Sequence, residues 1–350
     1  MNKLKSDNPL GKTGLEVPRI IYGTSYLGNL YTALSYKDKL ALMMKWFECT
    51  EKPVVIDSAG KYGAGLALEI IGRGLQDLGV KKDGVIISNK LGWLRVPLAG
   101  PEPTFEPGAW VGLAYDAKQQ FGYEEILECY EQGNQLLGGT YKTNLVSVHD
   151  PDEYLAEAEN QADRELRKQK ILESYRALFD LKERGEVLAV GIGSKDWKVI
   201  RELYDSVPFD WVMFANSFTI YSHPVELTNF MDELYSNGVG IVNSALFHGG
   251  FLTGGNKFDY REISRYSAEG RVLFEWREAF YDVCRNYRVV PADACMHFGM
   301  SHPAVASIAL NTSRPSKMVE NVDILNKKID PAFWAEMKKR GLINRTCKYL

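Results

Sequence analysis

Four residues of this chain combine into one proton-handling device. Asp57 closes the apolar run Val54-Val55-Ile56, Tyr62 follows on the next loop, and Lys90 and His149 stand just beyond two further apolar runs. A phenol with a reference pKa of about 10 carries protons poorly near neutrality, but a nearby ammonium favours the phenolate and lowers that value. Lys90 suits that part, Asp57 would hold the lysine in place and charged, and His149 would donate to a substrate oxygen and orient it. The result protonates a carbonyl as it receives a hydride, or deprotonates an alcohol as it loses one. Singly, each residue has a plainer reading: a helix cap, a loop aromatic, a surface charge, a satisfied core histidine. All four at matching places in one architecture are hard to assign to chance.

That architecture is read from an alternation. Short β-branched runs at 20–22, 54–56, 85–87, 145–148, 187–190, 211–214, 239–242 and 304–308 are separated by amphipathic, helix-length segments. The latter lie at 36–50, 66–79, 123–137, 164–184, 196–206, 224–236 and 270–288, with a last helix at about 316–326. Ser35 with Asp38 three residues on reads as a near capping box, and Gly185 as a helix C-cap. Strict βα alternation predicts a parallel sheet, and eight pairs predict a single (β/α)8 TIM barrel over 1–350, which gathers catalytic groups at the C-terminal ends of its strands. Asp57, Lys90 and His149 then share one mouth. A doubly wound sheet is disfavoured because the GxG starts at Gly63, Gly72 and Gly191 meet Leu68, Asp77 and Asp196 where a third glycine belongs. Residues 10–18 read as an N-terminal β-hairpin able to plug the barrel floor. The stretch 91–122 is a long irregular loop after the third strand, rich in proline, glycine and aromatics, and of a size that is usually functional. Its Trp93, Trp110, Tyr115 and Phe121 suit either stacking on a sugar face or a small core of the loop's own. The tail from Pro331 to Leu350 reads as an extra helix and an ending that reaches over a loop or a neighbour.

Composition narrows the partners. With 350 residues, 45% of them hydrophobic, the chain can bury a large core, and a net charge of -3 gives no bias toward polyanions. No nucleic acid and no membrane partner is expected, since nowhere do eighteen apolar residues run together and no signal-peptide core opens the chain. Five scattered cysteines without metal-type spacing suggest reduced thiols and a cytoplasmic location. No metal site is expected, because no His/Asp/Glu ligand cluster stands at the strand ends.

The residues resemble the aldo-keto reductase superfamily, whose tetrad is Asp, Tyr, Lys and His on this same barrel. The likeness runs from Leu10-Gly11-Lys12-Thr13-Gly14-Leu15 to Glu320-Asn321. It is closest to the branch of D-threo-aldose 1-dehydrogenases and L-fucose dehydrogenases, through the long segment after strand 3, His149-Asp150-Pro151-Asp152, and Gly191-Ile192-Gly193 followed by Trp197. The resemblance implies an oxidoreductase moving a hydride between NAD or NADP and an aldose or small aldehyde. It implies a diphosphate site at Ser244, Leu246, Gly249 and Gly250, suited to backbone amides and small residues. Asn216 would hold the nicotinamide carboxamide; Ser194 is a poorer match, because Gly193-Ser194 replaces the family's usual polar pair. Asn311, Ser313, Arg314, Lys317, Glu320 and Asn321 fall on the adenosine site, with Glu320 and Asn321 at the adenine. Basic residues that hold a 2′-phosphate in other members are missing at Asn311 or Ser313, which leans the expectation toward NAD, while Arg314 and Lys317 keep NADP open. The competing reading is a cofactor-binding regulatory barrel with little turnover, similar to potassium-channel β-subunits; the intact tetrad argues against it. His248 and His297 carry no motif and are read as structural.

Overall fold

The computed structural model describes residues 3–259 and 261–350. Eight parallel strands close a barrel: β1 Ile20–Gly23, β2 Val54–Ala59, β3 Val85–Leu91, β4 Leu145–His149, β5 Ala189–Ser194, β6 Trp211–Ala215, β7 Gly240–Ser244 and β8 Val305–Leu310. Each strand hydrogen-bonds to its neighbours in sequence, and β8 returns to β1. This is the (β/α)8 architecture that the alternation predicts.

Side chains alternate across each strand, so a catalytic residue and a floor residue can share a face two or four positions apart. Val55 in β2, Ile86 in β3, Leu145 in β4, Trp211 in β6 and Val242 in β7 pack together at the floor with Leu10 and Val17. Leu10 follows the strand Ser6–Pro9 that pairs antiparallel with Glu16–Pro18, so the N-terminal hairpin does plug the barrel from below. Counting upward by twos from those floor residues gives Asp57, then Ser88 and Lys90, then Ser147 and His149. In register, Asp57 lies beside Ser88, Lys90 beside Ser147, and His149 beside Gly193. The stagger of a closed barrel thus lifts three polar groups to the upper rim while apolar residues fill the lower layers.

The predicted helices are present at Tyr36–Cys49, Leu66–Asp77, Tyr123–Leu136, Gln161–Glu183, Trp197–Tyr204, Val225–Ser236, Ala268–Tyr287 and Pro315–Asn326. Ser35 caps the first by accepting from the Asp38 N–H at 3.2 Å, and Gly185 takes a left-handed φ of 72° just past the long fourth one. Two helices escape the periodicity. Pro151–Ala156 and Pro291–Gly299, six and nine residues long, are too short to show a clear repeat, and the segment read at 270–288 stops before the second of them. It is Pro291–Gly299 that packs on β8, whereas Ala268–Tyr287 lies against the C-terminal helix Pro331–Lys339. The stretch 91–122 is also more regular than predicted: Trp93–Pro97 and Tyr115–Gln119 pair antiparallel. Beyond Lys339 the tail docks back on the barrel's outside, where the Asn344 N–H donates to His223 Nε2 at 2.9 Å and Tyr349 to Asp232.

Two glycines of β5 create the space in which neighbouring side chains sit. A Cβ on Gly191 would lie 2.4 Å from the ring of Trp211, and one on Gly193 would lie 3.1 Å from Lys90 Cδ. Trp211 is fully buried among the floor residues. Gly191→Ala is therefore expected to cost about 1–3 kcal/mol through overpacking. Urea unfolding would show this as a lowered midpoint at constant slope; an unchanged midpoint would mean that the indole has room to yield.

Candidate active site

Tyr62 is placed by backbone rather than by its own side chain. Its loop, 60–65, passes between two other segments with no space for a Cβ: one on Gly63 would meet the Gly28 carbonyl at 2.3 Å, and one on Gly60 the Trp93 carbonyl at 2.4 Å. The Tyr62 N–H donates to Ala59 O at 3.1 Å, and its own carbonyl accepts from Ala67 N–H, the start of the following helix. The phenol ring is so fixed at the top of the barrel, edge-on to the His149 imidazole with centroids 5.6 Å apart. Lys90 Nζ lies 4.9 Å from the centre of the same ring. Lys90 pairs in turn with Asp57 Oδ2, whose other oxygen accepts from Ser88 Oγ at 3.2 Å. Thr24 Oγ1 donates to the Asp57 carbonyl at 2.9 Å. The four residues singled out from the sequence are thus one cluster, with Asp57, Lys90 and His149 buried and Tyr62 half-buried, and all four line a single cleft.

The electrostatics differ from the sequence expectation in one respect. Burial, followed by the Asp57 and Asp150 carboxylates, pushes the Tyr62 phenol well above its ordinary range. Lys90 does not turn it into a phenolate, because Asp57 consumes much of the lysine's field at contact distance. His149 moves the opposite way. Burial lowers its pKa well below the ordinary value, and the charges of Lys90 and Lys61 add to the effect, so the ring is neutral at physiological pH. Its Nδ1 is buried without a hydrogen-bond partner among the described residues.

A second polar group in the same cleft carries no motif. Lys61, almost fully buried, bonds Glu106 at 2.8 Å and Glu153 at 2.9 Å and lies 3.9 Å from Asp150. Lys195, just past the end of β5, pairs with Glu153 and lies 3.4 Å from Asp150. Burial opposes both lysine charges, but for Lys61 the carboxylates of Asp150, Glu106 and Glu153 outweigh it and raise the pKa. For Lys195 those of Asp150 and Glu153 do the same. These five residues come from four separate segments, and sequence reasoning assigned none of them a role. The available signals were slight: Lys61 precedes Tyr62, Asp150 follows His149, and Lys195 follows Ser194.

The long insertion forms one wall. Phe105, Trp110 and Ala117 make a small core with Ala64, against which Tyr62 and Trp93 pack. Trp110 also lines the cleft, 6.0 Å from the Tyr62 ring, and its Nε1 donates to Glu106 at 2.8 Å. The reading as a small core of the loop's own thus holds for Trp110, which also faces the cleft. Tyr115 instead covers the Arg95 guanidinium at 4.4 Å, and Phe121 belongs to the main core.

From the tetrad the cleft extends past Asn216 and Ser244 to Gly249, Gly250 and Asn311, with a volume of about 730 Å³. Its chemistry suits a dinucleotide. Asn216 holds a left-handed φ of 58° and presents a buried Oδ1 with no partner among the described residues, an acceptor open to a carboxamide N–H. Ala245, His248, Gly249 and Gly250 all have positive φ, the kind of backbone that turns amides toward an anion. Leu246 lines this part as well, and a Cβ on Gly250 would meet nothing within 4 Å. Two of the expected contacts are otherwise engaged: Ser194 Oγ donates to Asp152 at 2.7 Å, and Ser244 Oγ to Phe214 O at 3.0 Å. Asn311 lines the cleft and donates to Ser25 Oγ. Ser313, Arg314, Lys317, Glu320 and Asn321 stand outside its lining, Arg314 directly before the helix Pro315–Asn326 and Lys317 paired with Glu320. Among the described residues no group of His, Cys, Asp and Glu is fit to hold a metal, and no helix is long and apolar enough to cross a membrane.

Comparison with known proteins places the chain among relatives. The chain is 27% identical to pyridoxal 4-dehydrogenase of Microbacterium luteolum, over 98% of this chain and 99% of that one. It is 25% identical to D-threo-aldose 1-dehydrogenase of a Pseudomonas species, covering 94% and 96%. Its fold superposes on the holo form of an aldo-keto reductase from Bacillus halodurans with a TM-score of 0.71 at 19% identity, covering 97% of each chain. The model of the Aldo/keto reductase family matches residues 19–341, nearly the whole barrel, and this chain therefore belongs to that family of NAD(P)-dependent oxidoreductases.

Proposed function

We propose that this enzyme transfers a hydride between a nicotinamide cofactor and an aldose or closely similar hydroxy-aldehyde, with Tyr62 as the acid/base. The observation that carries this reading is the half-buried phenol held between Lys90 and His149 in the cleft. When bound, the cofactor supplies or accepts the hydride. The chain's own residues manage the proton and the charge. In reduction, Tyr62 donates its phenolic proton to the substrate oxygen, and the phenolate left behind faces the Lys90 ammonium. Asp57 keeps that ammonium aimed. His149, neutral, offers an N–H to the same oxygen and sets its position. Asn216, Leu246, Gly249 and Gly250 would hold the dinucleotide along the cleft, with Asn311 toward its adenosine end.

Support for a polyhydroxylated substrate comes from the second polar group. Two lysines, Lys61 and Lys195, face three carboxylates, Glu106, Asp150 and Glu153, so the rim carries abundant donors and acceptors but no surplus positive charge. Neutral sugars bind such a surface better than phosphorylated ones do. The pyridoxal and aldose dehydrogenases similar to this chain carry names of aldehydes that also bear hydroxyl groups. For the cofactor we favour NAD: Lys317 is tied to Glu320, which leaves Arg314 as the remaining basic residue of that group beside a 2′-phosphate.

Three results are expected. Tyr62→Phe should lower kcat by about 10²–10⁴-fold, the usual weight of a general acid, while the dissociation constant for NADH, read by fluorescence, stays within error; normal turnover would remove Tyr62 from the chemistry. Because the phenol pKa is raised and the His149 pKa lowered, kcat/KM for reduction should be flat from weakly acid to moderately alkaline pH. Oxidation needs the phenolate and should rise about tenfold per pH unit below the Tyr62 pKa; a titration near neutrality in the reductive profile would contradict the assignment. Finally, a screen of aldoses followed at the reduced nicotinamide band, with both cofactors, should show NADP bound roughly tenfold or more weaker than NAD, the weight of one missing charged hydrogen bond.

A further inference from the structure

Behind the loop that follows β7, hydrogen bonds run in series from the cleft to the C-terminal tail. Asp259, which lines the cleft and holds a left-handed φ of 46°, accepts from His248 Nδ1 at 2.8 Å. The other ring nitrogen, Nε2, meets Thr219 Oγ1 at 2.7 Å. Hydroxyl, imidazole and carboxylate in that order have the layout of a nucleophilic triad. Thr219, however, is completely enclosed, and its Oγ1 also accepts from the Ser222 N–H at 2.9 Å, so no substrate reaches it. Its task is mechanical. The Thr219 carbonyl accepts in turn from His223 Nδ1 at 2.9 Å, and His223 Nε2 accepts from the Asn344 N–H at 2.9 Å. A carbonyl can only accept and a backbone N–H can only donate, so His223 is held as a single tautomer. A second link runs beside the first. Trp276 Nε1 donates to Leu342 O at 3.3 Å, its indole packs edge-on with Tyr221 at 5.0 Å, and Tyr221 packs edge-on with His248 at 5.7 Å.

What these bonds hold is the loop 244–259. His248 sits in it with φ 48°, buried and stacked on Phe258 at 4.6 Å, directly before Gly249 and Gly250. Left-handed backbone is unfavourable for a residue with a Cβ and persists where its surroundings enforce it. The bonds from both ring nitrogens supply that enforcement. Further along the same loop, Arg277 Nη1 donates to the Phe251 and Gly255 carbonyls at 3.0 and 2.7 Å. The tail 341–350 itself stands outside the cleft's lining. We infer that Asn344, His223, Thr219 and His248 are positioning residues for the cofactor: acting in series, they set the backbone of 245–250, so the C-terminal tail governs how tightly a nicotinamide dinucleotide is held without touching it. The inference rests on the reading of Leu246, Gly249 and Gly250 as the stretch that holds the dinucleotide. Loosening the tail frees the His223 ring, leaves the Thr219 carbonyl without that donor and slackens the turn at His248. Binding must then order the loop first, a cost that is subtracted from affinity. Tyr62, Lys90 and His149 stand on β2–β4 and the loop after β2, and keep their geometry.

The test is NADH titration of the full chain by fluorescence, with hydrogen–deuterium exchange on the same samples. In wild type, NADH should slow exchange across 245–255. Asn344→Pro removes the N–H that His223 accepts, and Thr219→Val removes the hydroxyl while keeping the branched shape. Each should raise the NADH dissociation constant by about threefold to tenfold, the weight of one hydrogen bond, and speed exchange across 248–255. In each, kcat at saturating NADH should not fall. The double variant should bind NADH no more weakly than the worse single, because both cut the same series of bonds. His223→Ala removes the tail bond from its other side and takes the place of Asn344→Pro if circular dichroism shows the latter misfolded. Folded variants that bind NADH as wild type does, or a double variant whose losses multiply, would overturn the role of the tail while leaving the cofactor on its loop. Exchange across 245–255 that NADH leaves unchanged in wild type would instead overturn the placement of the cofactor, and the inference with it.

Discussion

The structure turns on the buried ion pair between Lys90 and Asp57. Two opposite charges withdrawn from water stabilise a fold only when their geometry is good and their remaining hydrogen-bonding capacity is met. Ser88 Oγ and the Ser58 carbonyl, the latter accepting from Lys90 Nζ at 3.3 Å, meet part of it. Gly193 clears the path for the lysine's methylenes. The pair therefore constrains three adjacent or facing strands at once, β2, β3 and β5. Its carboxylate also adds to burial, the larger cause, in keeping the proton on the phenol. A lysine without a partner would pull Tyr62 toward phenolate, whereas a lysine matched by a carboxylate keeps the proton in place until charge develops on the substrate side. The phenol thus keeps its proton at neutral pH, as the proposed acid must.

The second charged group works on geometry more than on protons. Lys61 is joined through its backbone to Tyr62 and through its ammonium to Glu106 of the insertion and Glu153 of the helix after β4. One side chain thereby ties the catalytic loop, the cleft's outer wall and the segment that follows His149. Truncating it would leave three carboxylates facing one another in a poorly solvated space, so its loss would disturb all three surfaces together.

Much of this was legible in the sequence because barrel strands advertise themselves by composition and their C-terminal ends are fixed by where the apolar run stops. Asp57, Lys90 and His149 follow such runs, and period-two alternation alone puts them on the inner face. Tyr62 was legible through its neighbours. What stayed hidden depends on long-range encounters: Lys61 with Glu106 and Glu153, and Lys195 with Asp150, join residues some forty to ninety positions apart that no periodicity links. The hairpin Trp93–Pro97 with Tyr115–Gln119 was hidden for another reason, since the proline- and glycine-rich turn between its strands dominates the local composition. The helix Pro291–Gly299 was hidden because nine residues show too little of the helical period to be told from a loop.

The ribbon beside the cleft is not a loose cover. Its strands are paired, Trp110 and Phe105 give it a core, and it is stitched to residues 29–31 by the Tyr31 N–H to Ala109 O at 2.7 Å and the Val111 N–H to Asn29 O at 3.1 Å. A wall that is folded before the ligand arrives asks for no ordering entropy when it does. Rigid cyclic guests, which also have little freedom to lose, gain most from such a vessel, and flexible open-chain ones gain least. If the substrate is the aldose proposed above, its ring form and the slot would be matched in stiffness as well.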